Sequence, residues 1–265
     1  MDTRNPRVSA RQQGGTQAIA RAVDLLKLVA AHQANGARYA DIVLQSGLEP
    51  PTVHRILQRL TAEGLLRQDP RARRYTLGTL AFELGLAAQQ HFSLREVCAP
   101  ALQRLCDATG DTVFLTVRSG FDAVCVDRKQ GSFPVQILTV EVGSRRPLGT
   151  AAGNLALLFP LPDEEVHRIV AANELRLTQH GELDCDKLLA MIRRSRQLGY
   201  ALNDQVILPG VTGMGLALPS RFGPPAVALS VVGMASRLRE KRRVEVLTLL
   251  RTETASLAKL ITYPD

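Results

Sequence analysis

Residues 48–78 read LEPPTVHRILQRLTAEGLLRQDPRARRYTLG, and their spacing decides the reading of the N-terminal third. Val53, Ile56, Leu57 and Leu60 recur at i, i+3, i+4 and i+7, the signature of one buried helical face. Thr52, Arg55 and Arg59 fall on the opposite face, with His54 and Gln58 beside them. Guanidiniums, a hydroxyl and an amide on one exposed stripe suit the phosphates and base edges of a major groove. The hairpin that follows carries Arg71, Arg73 and Arg74 at or near its tip. A recognition helix followed by a basic wing is the layout of a winged helix-turn-helix, and it implies a double-stranded DNA operator as partner.

The rest of the composition narrows the alternatives. A chain of 265 residues accommodates two domains, and 45% apolar residues suffice for real cores. Its longest apolar runs, LALLFPLP and AVALSVVGMA, are far short of the roughly 18–20 residues of a membrane span, so no membrane association is expected. The start, MDTRNPRVSARQQGGTQ, lacks the apolar stretch of a secretory signal and reads as a disordered polar arm over residues 1–15, which places the protein in the cytoplasm. Cys98, Cys106, Cys125 and Cys185 show no metal-ligand spacing and read as reduced, mostly buried thiols. Neither a metal nor any other cofactor is expected. The net charge is +8; residues 1–92 hold 12 Lys/Arg against 7 Asp/Glu, while residues 93–265 hold 21 against 18. The smaller segment therefore carries most of the excess, as a nucleic-acid footprint requires.

Working outward, a first helix is predicted over 17–31, with Ile19, Ala22, Val23, Leu26 and Val29 as its apolar stripe. A second short helix opens at Tyr39 and closes at Ser46-Gly47. The recognition helix starts near Pro51 and ends at Glu63-Gly64, and residues 65–68 and 74–77 pair around Asp69-Pro70-Arg71. The winged domain thus spans 16–78. A linker helix over 79–92 follows, with Leu80, Ala81, Leu84 and Ala88 on one face; it packs on a partner subunit or, alternatively, docks on its own domain. From residue 93 to 265 a second, α+β domain is predicted. Its helices lie near 94–109, 152–159, 163–172, 184–198 and 237–261, and its strands at 112–118, 123–129, 135–140, 200–203, 212–218 and 226–232.

With these residues in place the chain resembles the IclR family of bacterial transcriptional regulators, from Thr16 to Leu260. The resemblance rests on AIARAVDLLKLV, GLEPPTVHRILQRLTAEGLL, RRYTLGTLAFELG, GSRRPLGTAAGNLALL and LGYALNDQVILPGVTGMGLALP in that order. It implies a GAF/PAS-like effector-binding domain at the C-terminus, assembly as a dimer or dimer of dimers, and a small-molecule effector, commonly an organic acid. By motif alignment the effector pocket falls on Thr150, Ala151, Ala152, Asn203, Gly213, Ser230 and Val232. Two departures from the family pattern stand out. Pro50-Pro51 replaces a polar pair before the recognition helix. In the pocket an amide, a glycine and a valine replace a carboxylate, a thiol and a hydroxyl, which reads as a roomier, less polar and uncharged site. Such a site suits aromatic acids better than a very small oxoacid, with the anion at the helix start near Thr150–Gly153.

Other chemistry finds little support. His54 lies on the DNA-facing helix, Ser230 has no G-x-S-x-G around it, and Gly210, Gly213 and Gly215 precede a strand, unlike a dinucleotide fingerprint. Asp122, Asp127 and Glu141 read as solvated faces. No catalytic residue is assigned. Two alternatives remain: a DNA-binding protein whose second domain only oligomerises, and an enzyme with an unrecognised site.

Overall fold

The computed structural model describes residues 6–32, 35–89, 94–219 and 226–261, with side chains from residue 16 except at residue 89. The chain divides into two compact units, Met1–Phe92 and Ser93–Asp265.

In the first unit, α1 (Pro6–Ala31) is followed by β1 (Ala37–Arg38), α2 (Tyr39–Ser46), α3 (Pro50–Ala62), β2 (Leu66–Gln68), β3 (Arg74–Leu77) and α4 (Thr79–Gln89). Residues 1–5 of the expected arm lie outside the described residues, but from Pro6 the backbone is already helical. Ala10, Arg11, Gln12 and Gln13 are strong helix formers, whereas Gly14-Gly15 are not, so propensity alone does not account for the continuous helix. Within α1 the buried face is Leu25 and Val29, with Ala22 and Leu26 half-buried; Ile19 and Val23, expected inward, are exposed. Leu25 and Val29 join Ile42, Val53, Leu57, Leu60, Leu66 and Tyr75 in one core. Gly47 caps α2 in the left-handed region (φ 63°), which glycine enters without Cβ strain.

The wing is a three-stranded antiparallel sheet in the order β1-β3-β2. Strand β1 was not foreseen: two residues carry no periodicity, and only the pairing of Ala37 with Tyr75 and Arg38 with Arg74 defines them. Helix α4 packs against β2, and the Leu80 amide donates to the Gly64 carbonyl. Leu80 and Ala81 are half-buried there, whereas Leu84 and Ala88 of the expected stripe are exposed together with Phe82 and Leu86.

The second unit is built on a six-stranded antiparallel sheet ordered β6-β5-β4-β9-β8-β7. Its strands are β4 (Thr112–Ser119), β5 (Asp122–Lys129), β6 (Arg145–Pro147), β7 (Ala201–Asp204), β8 (Val211–Ala217) and β9 (Val227–Met234). Alternation splits the sheet residues between two cores. Val113, Leu115, Met214, Leu229 and Val231 pack with α5 (Leu94–Thr109) and α9 (Glu240–Leu260). The opposite face is covered by α6 (Ala152–Leu158), α7 (Asp163–Leu177) and α8 (Cys185–Leu198).

Residues 135–140 are not a strand. Pro134 removes one donor at its start, and side chains take the place of a ladder: Gln136 Oε1 accepts from Thr112 Oγ1 (3.0 Å), and Arg128 donates to the Val140 carbonyl (3.0 Å). Strand β6 forms later, on β5. A bulge opposite Leu115/Thr116 shifts the register of β5. Cys125 therefore faces the α6 side, while Asp127 turns towards α5 and accepts from Arg95 (3.4 Å). Asp127 is thus buried, and Asp122 pairs with Arg145 and Arg176. Neither is the solvated carboxylate expected; Glu141 is exposed.

Candidate functional site

Helix α3 begins with Pro50 and Pro51 in its first turn, behind Glu49, whose carbonyl accepts from the Thr52 and Val53 amides (2.9 and 3.1 Å). The prolines supply no N–H, so this helix end offers few donors to a phosphate. Tyr39 Oη donates to the Pro50 carbonyl (2.6 Å) and fixes α2 against the start of α3. The ring of Tyr39 also meets His54 edge-on, with centroids 6.2 Å apart.

The outward face is as expected from spacing: His54, Arg55, Gln58 and Arg59 are exposed and Thr52 is half-buried. The two arginines are not equivalent. Arg59 is ion-paired with Glu63 one turn on, whereas among the described residues no carboxylate pairs with Arg55.

At the wing tip Asp69 Oδ1 accepts from the Arg71 and Ala72 amides, both at 2.8 Å. These amides, Ala72 first and then Arg71, with the Arg67 charge, hold the Asp69 carboxyl below the usual range. Arg71 and Arg73 are exposed, and Arg73 adopts φ 55°, a left-handed conformation uncommon for a residue with a Cβ. Arg74 differs from its expected place at the tip. It is half-buried on β3, and its guanidinium donates to the Gly36 carbonyl (2.9 Å), tying the wing to the turn before β1. Arg38 and Arg67 are exposed on the same sheet. Strand alternation marks Arg67 as outward beside Leu66; no sequence signal marks Arg38.

In the second unit a cavity of about 60 Å³ lies between the sheet and α6. Thr150, Ala151, Ala152, Asn203, Gly213, Ser230 and Val232 all line it, drawn from the loop before α6, its first turn and strands β7, β8 and β9. Phe114, Thr116, Ala123, Cys125, Gly153 and Asn154 complete the floor and wall, while Thr139, Val140, Ser144, Arg146, Ile207, Leu208 and Val211 close the rim.

Three features depart from the side-chain inventory. Gly213 supplies no room, because a Cβ there would stand 2.9 Å from the Cβ of Ala152; the glycine lets α6 approach the sheet. Thr150 has its hydroxyl proton engaged by the Pro147 carbonyl (2.8 Å). The cavity also contains a cation. Arg146 lines it, donates to the Thr139 carbonyl, and has no ion-pair partner among the described residues. Burial lowers its pKa. His180 lies within electrostatic reach, and burial, then Arg146 and Arg176, push its pKa down to about 4, so it is neutral near pH 7. Arg146 was missed because it adjoins Arg145, which is neutralised by Asp122, and sequence does not say which neighbour turns inward.

The Cys125 thiol in the cavity wall is pushed up to about 11 by burial, so it stays protonated and is a poor nucleophile. Among the described residues no cluster of His, Cys, Asp and Glu is placed to hold a metal, and no helix is long and apolar enough to cross a membrane.

A winged helix-turn-helix with a basic outer face, carried on one chain with an α/β unit that encloses a small cavity, defines a two-part transcriptional regulator. A family model of the IclR helix-turn-helix domain matches residues 18–70, and the model for the bacterial transcriptional regulator IclR C-terminal region matches residues 86–258. The chain belongs to the IclR family of bacterial transcriptional regulators. It is 30% identical over 240 residues to the HTH-type transcriptional repressor AllR of Salmonella typhi, covering 90% of this chain and 88% of that one. The Escherichia coli K12 AllR is 29% identical over the same length and coverage. In fold it is similar to an IclR family regulator from Brucella abortus, with TM-score 0.73, 23% identity and 93% of each chain covered. An IclR homolog from Microbacterium hydrocarbonoxydans, solved in complex with 4-hydroxybenzoate, aligns with TM-score 0.63 and 21% identity over 92% of this chain and 100% of that one.

Proposed function

We propose that Thr52, Arg55, Gln58 and Arg59 read an operator in the major groove while Arg71 and Arg73 grip phosphates, and that an organic acid in the α6 cavity sets the affinity for that operator. Arg55 is the principal base reader, since its guanidinium is exposed at the centre of the stripe and pairs with no carboxylate among the described residues. His54 lies at the edge of the footprint, against Tyr39. Arg74 acts by holding the wing in place through Gly36.

The observation that carries the effector reading is Arg146. An arginine half-buried in a cavity without a carboxylate beside it is costly unless an anion completes it. This favours a sensor over a second domain that only oligomerises. A protonated Cys125 and the absence of a nucleophile–base pair in the cavity wall favour binding without turnover.

The regulator acts in the cytoplasm as a dimer or dimer of dimers, because operator half-sites one turn of B-DNA apart, about 34 Å, need two readers. Exposed Phe82, Leu84 and Leu86 on α4 supply an apolar surface for that contact. Effector occupancy then shifts operator affinity by a coupling of about 1–3 kcal/mol.

Mobility-shift titration on the DNA upstream of the protein's own gene, with and without organic acids, tests the whole reading. Acid-dependent operator affinity is expected. Operator binding that no acid alters, with no heat of binding to any acid, would leave the oligomerisation alternative standing. Leu84→Glu should yield monomers or insoluble protein in light scattering; an unmutated chain that is monomeric counts against the assembly.

A further inference from the structure

The α6 cavity is small and carries two polar groups without a match. At about 60 Å³ the cavity is less than half of the roughly 150 Å³ that houses a benzene ring. A short acid therefore suits it better than an aromatic one. The space expected at Gly213 is filled by Ala152, which favours a shorter acid than the side-chain inventory does.

Arg146 is the first unmatched group, with one N–H on the Thr139 carbonyl and no carboxylate in ion-pairing range among the described residues. Asn203 is the second: its Oδ1 is buried in the cavity wall with no hydrogen-bond partner. A buried acceptor left unmatched is costly and asks for a donor. Thr150 cannot supply that donor, because its proton already goes to the Pro147 carbonyl.

We infer that this cavity takes a short hydroxy acid, its carboxylate held by the Arg146 guanidinium and its hydroxyl donating to Asn203 Oδ1. The inference rests on the cavity being the effector site and names the class of effector. Ala152 and Val232 form the wall against the small carbon skeleton. The anion also restores the electrostatic environment that burial takes from Arg146. With Asn203 Oδ1 as the group left unmatched, a hydroxyl donor is favoured over the acceptor of an oxo acid of equal size.

The test is calorimetry on the full chain with lactate and glycolate, set against propionate and acetate, pyruvate and glyoxylate, lactamide, and 4-hydroxybenzoate. Lactate and glycolate are expected to bind about tenfold or more tighter than the acids lacking a hydroxyl, with lactamide silent. Arg146→Gln should weaken lactate by about tenfold or more, and Asn203→Ala should bring lactate down to the level of propionate. Melting curves check that both variants fold. If Arg146→Gln does not fold, Arg146→Lys should still reject lactamide while binding lactate more weakly.

Lactate no tighter than pyruvate or propionate overturns the inference, as does an unchanged affinity in Arg146→Gln. Tighter binding of 4-hydroxybenzoate, abolished by the cavity-filling Val232→Phe, overturns the inference but leaves the effector cavity in place. Ligands that all ignore Val232→Phe, or no ligand at all, overturn the effector reading itself.

Discussion

Glu63→Gln should tighten operator binding without any new contact to DNA. In the free protein Glu63 holds Arg59 in an i,i+4 ion pair, with side chains 48% and 77% exposed. To reach a phosphate or a base, Arg59 must leave that partner. An exposed pair of this kind is worth about 0.2–1 kcal/mol. At about 1.4 kcal/mol per tenfold, its removal releases about 1.4- to 5-fold in affinity per half-site, and about 2- to 25-fold for a dimer that engages two. The fold should tolerate the change, since Glu63 caps the C-terminal end of α3, where a negative charge opposes the helix dipole. By the same reasoning Arg55→Ala costs more than Arg59→Ala. Among the described residues Arg55 has no ion-pair partner to lose, and a bidentate base contact is worth about 1–3 kcal/mol. Fluorescence anisotropy on a labelled operator at two salt concentrations reads all three variants. Equal losses for Arg55→Ala and Arg59→Ala, with Glu63→Gln no tighter than the parent, would refute the argument.

Other expectations test the wing, the cavity and its surroundings. Arg73→Gly should raise thermal stability by about 1 kcal/mol by relieving the left-handed residue, while reducing the salt slope of DNA binding by about 0.9 per protomer; a lowered melting temperature contradicts it. His180 titrates at about 4 in the folded state, below its ordinary 6.5. The unfolded chain then binds more protons across that window, so stability falls as pH drops from about 6.5 to about 4. His180→Gln should flatten this part of the curve of melting temperature against pH, and an unchanged slope assigns the loss elsewhere. Gly215→Ala would put a Cβ 2.6 Å from the Ala152 carbonyl oxygen, with a cost of about 1–3 kcal/mol by calorimetric melting; a neutral result means that α6 can retreat from the sheet.

The helix-wing layout was legible in the sequence because it is local. Val53, Leu57 and Leu60 against Arg55 and Arg59 follow from 3.6-residue periodicity alone, and Pro51, Gly47 and Gly199 punctuate elements by backbone rules that need no neighbour. The strands that end in the sheet interior were equally legible, since β4, β8 and β9 alternate or run apolar over their length. Residues 135–140 misled because an apolar run before an edge strand resembles a strand until its hydrogen bonds are counted. The cavity residues came from resemblance and do converge on one cavity, but its size and charge were decided elsewhere. Its volume depends on how closely Gly213 and Gly215 let α6 approach, a distance set by two elements far apart in sequence. Its charge depends on which of Arg145 and Arg146 turns inward, set by Asp122 on the neighbouring strand. The partnering of Arg59 by Glu63 lies between these cases: its spacing is visible in the chain, but only the folded helix end places the two side chains together. Periodicity marks which face of α3 is buried, but Ile19, Val23 and Leu84 remain exposed despite theirs, and only tertiary contact decides which polar groups are left over for a ligand.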